Sequence, residues 1–152
     1  MSSTLSDQAR SFRNALGCFA TGVTVVTTRS TTGADVGLTA NSFNSVSLEP
    51  PMVLWSLAKT SRALPIFMNT DFFAVHILAS DQEMLSARFA RAAEDKFTGL
   101  TLDRGPADIP LLQDCTARFQ CRTAFRYEGG DHMIFVGQVE AFDHSPRRPL
   151  VF

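Results

Sequence analysis

Between Cys115 and Arg126 apolar and polar residues alternate. Cys115, Ala117, Phe119, Cys121 and Phe125 fall on one side, and Thr116, Arg118, Gln120, Arg122 and Arg126 on the other. A period of two puts alternate side chains on opposite faces of a strand, so this segment predicts a strand buried on one face and solvated on the other. Thr123 and Ala124 are the weak matches. A half-buried strand of this kind belongs to an antiparallel sheet, and the chain supplies partners for one. Residues 23–28 are rich in β-branched side chains, residues 52–57 and 72–78 are apolar, and Glu128-Gly129-Gly130-Asp131 turns the chain into a further strand over 133–142. Thr31-Thr32-Gly33-Ala34-Asp35 reads as a hairpin loop, and Glu49-Pro50-Pro51 ends the strand before it.

Three helices interrupt the strands. Residues 7–20 carry Ala9, Phe12, Leu16 and Phe19 on one face, with Ser6 as the expected cap. A short helix runs from Ser61 to about Asn69 with Pro65 in its first turn. Ser80-Asp81-Gln82-Glu83 has the form of a capping box opening a helix that carries Leu85 and Phe89. Residues 98–110 read as loop, broken at Gly105-Pro106, and Leu150-Val151-Phe152 as the start of a closing strand. The pattern is mainly β (α+β): antiparallel strands with short helices, which suits a small barrel because closure removes exposed edges.

The 152 residues suit a single domain over 1–152. With 14 basic and 15 acidic residues, the chain lacks the electrostatic footprint of a nucleic-acid partner. No apolar stretch is long enough to span a bilayer, and the start Met1-Ser2-Ser3-Thr4-Leu5-Ser6-Asp7 lacks the basic and apolar regions of a signal peptide, so a cytoplasmic location is expected. Three cysteines cannot all pair within one chain. Cys115 and Cys121, at about 3.3 Å per residue, stand roughly 20 Å apart on one strand, too far for a disulfide. With Cys18 on the first helix, all three read as small buried hydrophobes. The spacing of the three histidines suits no metal site, and His76 reads as a packed, hydrogen-bonded residue.

The run from Gly37 to Pro51 mixes apolar residues with Thr39, Asn41, Ser42, Asn44, Ser45 and Ser47. Buried polar groups need partners, so the run either feeds a turn network or faces a flat, polar ligand. Thr39 and Asn41 share one side of a strand, while Leu38 and Ala40 pack inward or lend backbone groups. The segment from Ser56 to Arg62 leaves a strand and enters a helix, gathering backbone N–H groups, hydroxyls, Lys59 and Arg62. That is either an anion site or an ordinary helix start. Arg88 could meet a phosphate or water, and Phe89 could be a ligand wall or a core contact. Lys96 could address a ligand or pair with Glu94 or Asp95. His132, just past a glycine-rich turn, is either an exposed turn histidine or a proton-exchanging group at a cleft mouth.

Several segments together resemble the flavin reductase-like, FMN-binding split-barrel family, which includes the small reductase components of two-component flavin monooxygenases. They are Gly22-Val23-Thr24-Val25-Val26-Thr27-Thr28, the polar run, Met52-Val53-Leu54-Trp55-Ser56-Leu57, Ser86-Ala87-Arg88-Phe89-Ala90, Asp95-Lys96-Phe97 and Gly130-Asp131-His132. The resemblance extends from about Phe12 to Phe152. It implies a six-stranded Greek-key split β-barrel with short flanking helices, dimeric, with flavin near the interface. It implies that Leu38, Thr39, Ala40, Asn41 and Ser42 line the flavin, Asn41 reaching ring or ribityl oxygens. Ser56, Leu57, Ala58, Ser61 and Arg62 would handle the ribityl phosphate, with Arg88 as a further phosphate partner and Phe89 as an apolar wall of the flavin site. His132 would lie near the nicotinamide, positioning NADH or supplying a proton. The implied activity is NAD(P)H-dependent reduction of FMN or FAD, with hydride coming from NADH (or NADPH) and reduced flavin passing to a separate monooxygenase. Two alternatives remain: a split-barrel protein that holds FMN without turnover, and an FMN-bound oxidase acting on another small substrate. Family members commonly continue with a further strand and an Arg-Gly-x-Tyr-like segment that helps cover the flavin or bind NAD; this sequence ends at Phe152.

Overall fold

The computed structural model describes residues 2–152, with side chains from Ser6 onward. Helix α1 (Ser2–Leu16) precedes β1 (Thr24–Arg29), β2 (Asp35–Ala40), β3 (Asn44–Leu48) and β4 (Pro51–Ala58). Helix α2 (Leu64–Met68), β5 (Phe72–Ile77) and helix α3 (Glu83–Ala90) follow. Two short strands, β6 (Asp103–Arg104) and β7 (Pro110–Leu111), flank a 3-10 turn at Pro106–Asp108, and the long β8 (Ala117–Gly129) and β9 (His132–His144) complete the fold. The main sheet has seven strands in the order β2-β1-β5-β8-β9-β4-β3, while β6 and β7 pair separately. Every ladder is antiparallel.

The mainly β expectation holds, but the sheet does not close into a barrel. Seven strands make the sheet, and no ladder joins its two ends. The polar run is not one strand either. Its first half, β2, pairs with β1, and its second half, β3, pairs with β4 at the opposite edge. Residues 41–43 cross between them. The sheet curls until β2 approaches β4, and one hydroxyl bridges the gap. The β3 ladder stops at the Asn44–Leu54 pair, so Ser56 lies beyond its reach. Ser42 Oγ accepts the Ser56 N–H at 2.9 Å and donates to the Ser56 carbonyl at 3.1 Å, standing in for the missing strand.

Alternation along β1 sends Val26 and Val25 to opposite faces, and a core forms on each. On one, Trp55 stacks on Phe135 at 5.0 Å and meets the edge of Phe67 at 4.8 Å, with Phe73 beside them. On the other, Phe89 of α3 packs with Val25, Leu78 and Leu112. Each large apolar side chain fully buried there contributes roughly 1.5–3 kcal/mol. His76, wholly buried, is held as expected: one ring nitrogen faces the Val25 carbonyl at 2.9 Å and the other accepts the Leu112 N–H at 3.0 Å.

Several local expectations are corrected. The α1 helix begins at Ser2, so Ser6 lies inside it rather than capping it. Phe12, Leu16, Cys18 and Phe19 are exposed instead of buried, because among the described residues nothing covers that face. The weak matches in β8 mark a bulge: the register shifts between Thr123 and Phe125, and Phe125 emerges half-exposed. The capping box does not form. Gln82 precedes α3 and its side-chain oxygen reaches back to the Ala79 N–H at 2.9 Å. The last residues form isolated bridges, Pro149 with Ala79 and Val151 with Gly22, rather than a strand.

Candidate active site

Between the curled ends of the sheet lies a cleft of about 900 Å³. Gly37, Leu38 and Thr39 of β2 form one wall, and Leu57 with Ser61, Arg62 and Ile66 forms the other. The end of α3, residues 91–94, Lys96 and Phe97 close the side. The β2 wall depends on a glycine: a Cβ on Gly37 would stand 2.8 Å from a Phe89 ring carbon and 3.0 Å from one of Phe97. Only a bare Cα lets that edge-to-face pair, 5.0 Å between centroids, lie flat against the strand. Sequence reasoning missed Gly37, although a glycine inside a strand pattern signals close approach.

The polar groups of the cleft divide into engaged and free. Thr39 Oγ1 donates to the Ser86 carbonyl at 2.7 Å, so it can only accept from a ligand. Ser61 Oγ accepts the Ala63 N–H at 3.2 Å and keeps its own proton to donate. Arg62 is exposed at the cleft and has no ion-pair partner among the described residues. Lys96, left between two readings by the sequence, pairs with neither Glu94 nor Asp95. Its ammonium donates to the carbonyls of Gly37 at 3.1 Å and Phe89 at 2.9 Å, and partial burial lowers its pKa from the ordinary lysine value.

The remaining expected residues scatter around this centre. Leu38, Thr39, Leu57, Ser61, Arg62 and Phe89 are brought together at the cleft. Ala40 ends β2, its carbonyl accepting from Thr24 Oγ1 at 2.6 Å. Asn41 is exposed and outside the cleft lining. Ser42 and Ser56 are bound to one another as described. Arg88 turns away: its guanidinium donates to the Thr98 carbonyl and lines a separate groove of about 710 Å³ behind α3, with Met84 and Arg91. His132 also lies outside the cleft lining but close to its rim. It pairs across the ladder with Ala58, and the Lys59 N–H fastens its hairpin by donating to the Asp131 carbonyl at 2.9 Å. Its Nδ1 meets Asp131 Oδ1 at 2.7 Å, and that hydrogen bond holds the Asp131 carboxyl below its usual pKa.

A flavin needs an apolar surface for its rings, polar partners along one edge, and a cation for its phosphate. The cleft offers Leu38, Leu57, Ile66, Phe89 and Phe97, the Ser61 hydroxyl, and the unpaired Arg62 in one place, so the residues present fit the group.

Comparison with known proteins agrees. The model of the flavin reductase like domain matches residues 16–152. The FMN reductase (NADH) SmoA of Agrobacterium fabrum is 47% identical over 146 residues, 96% of this chain and 83% of that protein. The reductase component of the flavin-dependent trigonelline monooxygenase of Acinetobacter baylyi is 43% identical over 90% of this chain, which spans only 44% of that relative's length. Among solved structures, the NADH:FAD oxidoreductase SgcE6 of Streptomyces globisporus, in complex with NAD and FAD fragments, superposes with a TM-score of 0.87 at 37% identity, over 93% of this chain and 86% of that one. A fold with its cleft at the seam of a curled antiparallel sheet, matched along 137 consecutive residues, places this chain in the flavin reductase like domain family.

Proposed function

We propose that this protein is an NAD(P)H-dependent flavin reductase, a single domain over residues 1–152, that reduces FMN or FAD and passes the product to a separate flavin-dependent monooxygenase. The observation that carries this reading is the convergence at one seam of apolar walls, the free Ser61 hydroxyl and the unpaired Arg62, in a chain whose relatives include an FMN reductase and a monooxygenase reductase component. A bound flavin would supply the hydride-accepting chemistry, which belongs to the cofactor rather than to any side chain. The protein's share is placement. Leu38, Leu57 and Phe89 exclude water from the cleft, Arg62 and Ser61 hold an anionic tail at its end, and the Gly37 backbone and Phe89/Phe97 pair keep the β2 wall flat. His132, oriented by Asp131 at the rim, positions the nicotinamide of NADH or NADPH.

The rest of the reading is structural. The curled sheet is the Greek-key split barrel of the family, with β3 an addition to six strands; the Ser42 bridge supports this by tying the end of β2 to β4. The protein acts as a homodimer. In support, Phe12, Leu16 and Phe19 expose an apolar stripe, with 58–75% of each residue accessible. Among the described residues no helix is long and apolar enough to cross a membrane. The unpaired thiols of Cys18, Cys115 and Cys121 support a reducing, cytoplasmic setting.

The test is NADH consumption by the purified protein with and without added FMN or FAD, alongside its visible spectrum. Turnover that needs added flavin supports the reductase. A yellow protein that never consumes NADH refutes it and leaves an FMN-binding protein or an oxidase of another substrate. His132→Ala is expected to spare flavin affinity while slowing NADH oxidation. Equal loss of both would make the hairpin structural.

A further inference from the structure

β2 is an edge strand, bonded only to β1. At the mouth of their hairpin Ser30 N–H donates to the Ala34 carbonyl at 2.8 Å. Antiparallel pairs alternate from such a point, so Val36, Leu38 and Ala40 exchange hydrogen bonds with β1. Asp35, Gly37 and Thr39 therefore turn their backbone groups to the open side. That side is the cleft, lined by all three residues. An edge left in this state is a row of free donors and acceptors, prone to pairing with anything extended.

One residue breaks the row. Lys96 takes the Gly37 carbonyl and, with another of its three N–H groups, the Phe89 carbonyl at the end of α3. A single ammonium thus fixes the strand edge against the helix and removes one acceptor from the edge. Beside it remain the Gly37 N–H and, on the next outward residue, both the N–H and the C=O of Thr39, a donor and an acceptor on one residue with no partner among the described residues. A cyclic imide, with its C=O and N–H adjacent in one plane, is the complement of such a pair. The isoalloxazine ring carries that group on its pyrimidine side.

Resting on the flavin reading above, we infer that Lys96 is a positioning residue. It holds the edge of β2 so that the Thr39 backbone N–H and C=O pair with the imide edge of the flavin. The phosphate is left to the other end of the cleft, at Arg62.

The test compares lumiflavin, the ring system without a phosphate, with N3-methyl-lumiflavin, which cannot donate from the imide, by fluorescence titration. Wild type should prefer lumiflavin by about tenfold, the worth of one good hydrogen bond. Lys96→Met should reduce that preference to less than about threefold, since a loosened edge no longer fixes the pair. Lys96→Arg, which keeps the charge and donors, should restore most of it. A residue that only stabilises the fold would not alter the ratio of two affinities measured on folded protein. Equal affinities in wild type, or an undiminished preference in Lys96→Met, would overturn the inference while leaving the reductase standing. Failure of wild type to bind either lumiflavin or FMN would instead overturn the flavin reading, and this inference with it.

Discussion

Acid should loosen this fold through one side chain, His76. Its ring is fully buried on β5, and both nitrogens are engaged. The Leu112 N–H can only donate, so the nitrogen facing it must be bare, and the proton sits on Nδ1, donated to the Val25 carbonyl. A second proton would have to enter between Nε2 and an N–H that already points at it, placing a charge in the core. Burial is the main cause that pushes the His76 pKa from 6.5 to about 4. The Val25 hydrogen bond opposes that shift, and the nearby charges of Arg118 and Asp143 act in opposite senses.

The unfolded chain therefore binds a proton near pH 6.5 that the folded chain refuses until about pH 4. Stability is full above the first value and falls as pH drops towards the second. The linkage amounts to about 2 kcal/mol by about pH 5 and about 3 kcal/mol by about pH 4. Urea unfolding of wild type and His76→Gln across about pH 7.5 to pH 4.5 measures it, since glutamine keeps one donor and one acceptor but cannot titrate. The variant retains every other ionisable group, so the difference between the two profiles cancels their shares. Wild type should lose roughly 2–3 kcal/mol more than the variant over that range. Parallel profiles, within about 0.5 kcal/mol throughout, would show that His76 is not the acid-sensitive group and refute the tautomer argument.

Ser42→Ala strips the Ser56 N–H and C=O of their partner and should lower stability by about 1–3 kcal/mol, read from the denaturant midpoint; an unchanged midpoint would mean the bridge holds nothing. Arg62→Gln should weaken FMN by about tenfold and riboflavin hardly at all, because only FMN carries the phosphate. Equal effects on the two ligands, measured by fluorescence quenching, would deny Arg62 that role. The double change Phe12→Glu and Leu16→Glu should convert a dimer near twice 16.7 kDa into a monomer in sedimentation. A wild type already monomeric at micromolar concentration would remove the apolar stripe as an interface.

Local periodicity made much of the sheet legible, and its failures follow from what periodicity omits. Alternation located β8, and even the weakness at Thr123 and Ala124 was visible in the sequence. What that weakness meant, a bulge that turns Phe125 outward, depends on the partner strand. The amphipathic face of α1 was equally plain, yet a stripe of Phe12, Leu16 and Phe19 does not say whether the same chain or another covers it. The run from Gly37 to Ser47 looked like one strand because no proline or charge interrupts it. Its division between opposite edges of the sheet is a property of pairing, to which spacing is blind. Of the expected site residues, those at the cleft are apolar and hydroxyl side chains and one cation, Arg62. Lys96 resisted because its partners are backbone carbonyls, which every residue has and no sequence advertises.

Ser42, Gly37 and Lys96 answer the same physical problem at different points of one seam. A sheet that curls without closing leaves two strand edges facing each other, each with backbone groups that water or a partner must satisfy. At one end the Ser42 hydroxyl satisfies β4 at Ser56. Along β2 the Lys96 ammonium satisfies the carbonyl of Gly37, whose bare Cα admits Phe89 and Phe97 close enough for the lysine to arrive. Between these two stops no ladder joins β2 to β4, and the cleft lies there. Had the ladder closed between β2 and β4, the same backbone groups would have been consumed in pairing and no cleft would exist. The binding capacity of this protein is thus a consequence of incomplete closure, kept open by two side chains that imitate strands.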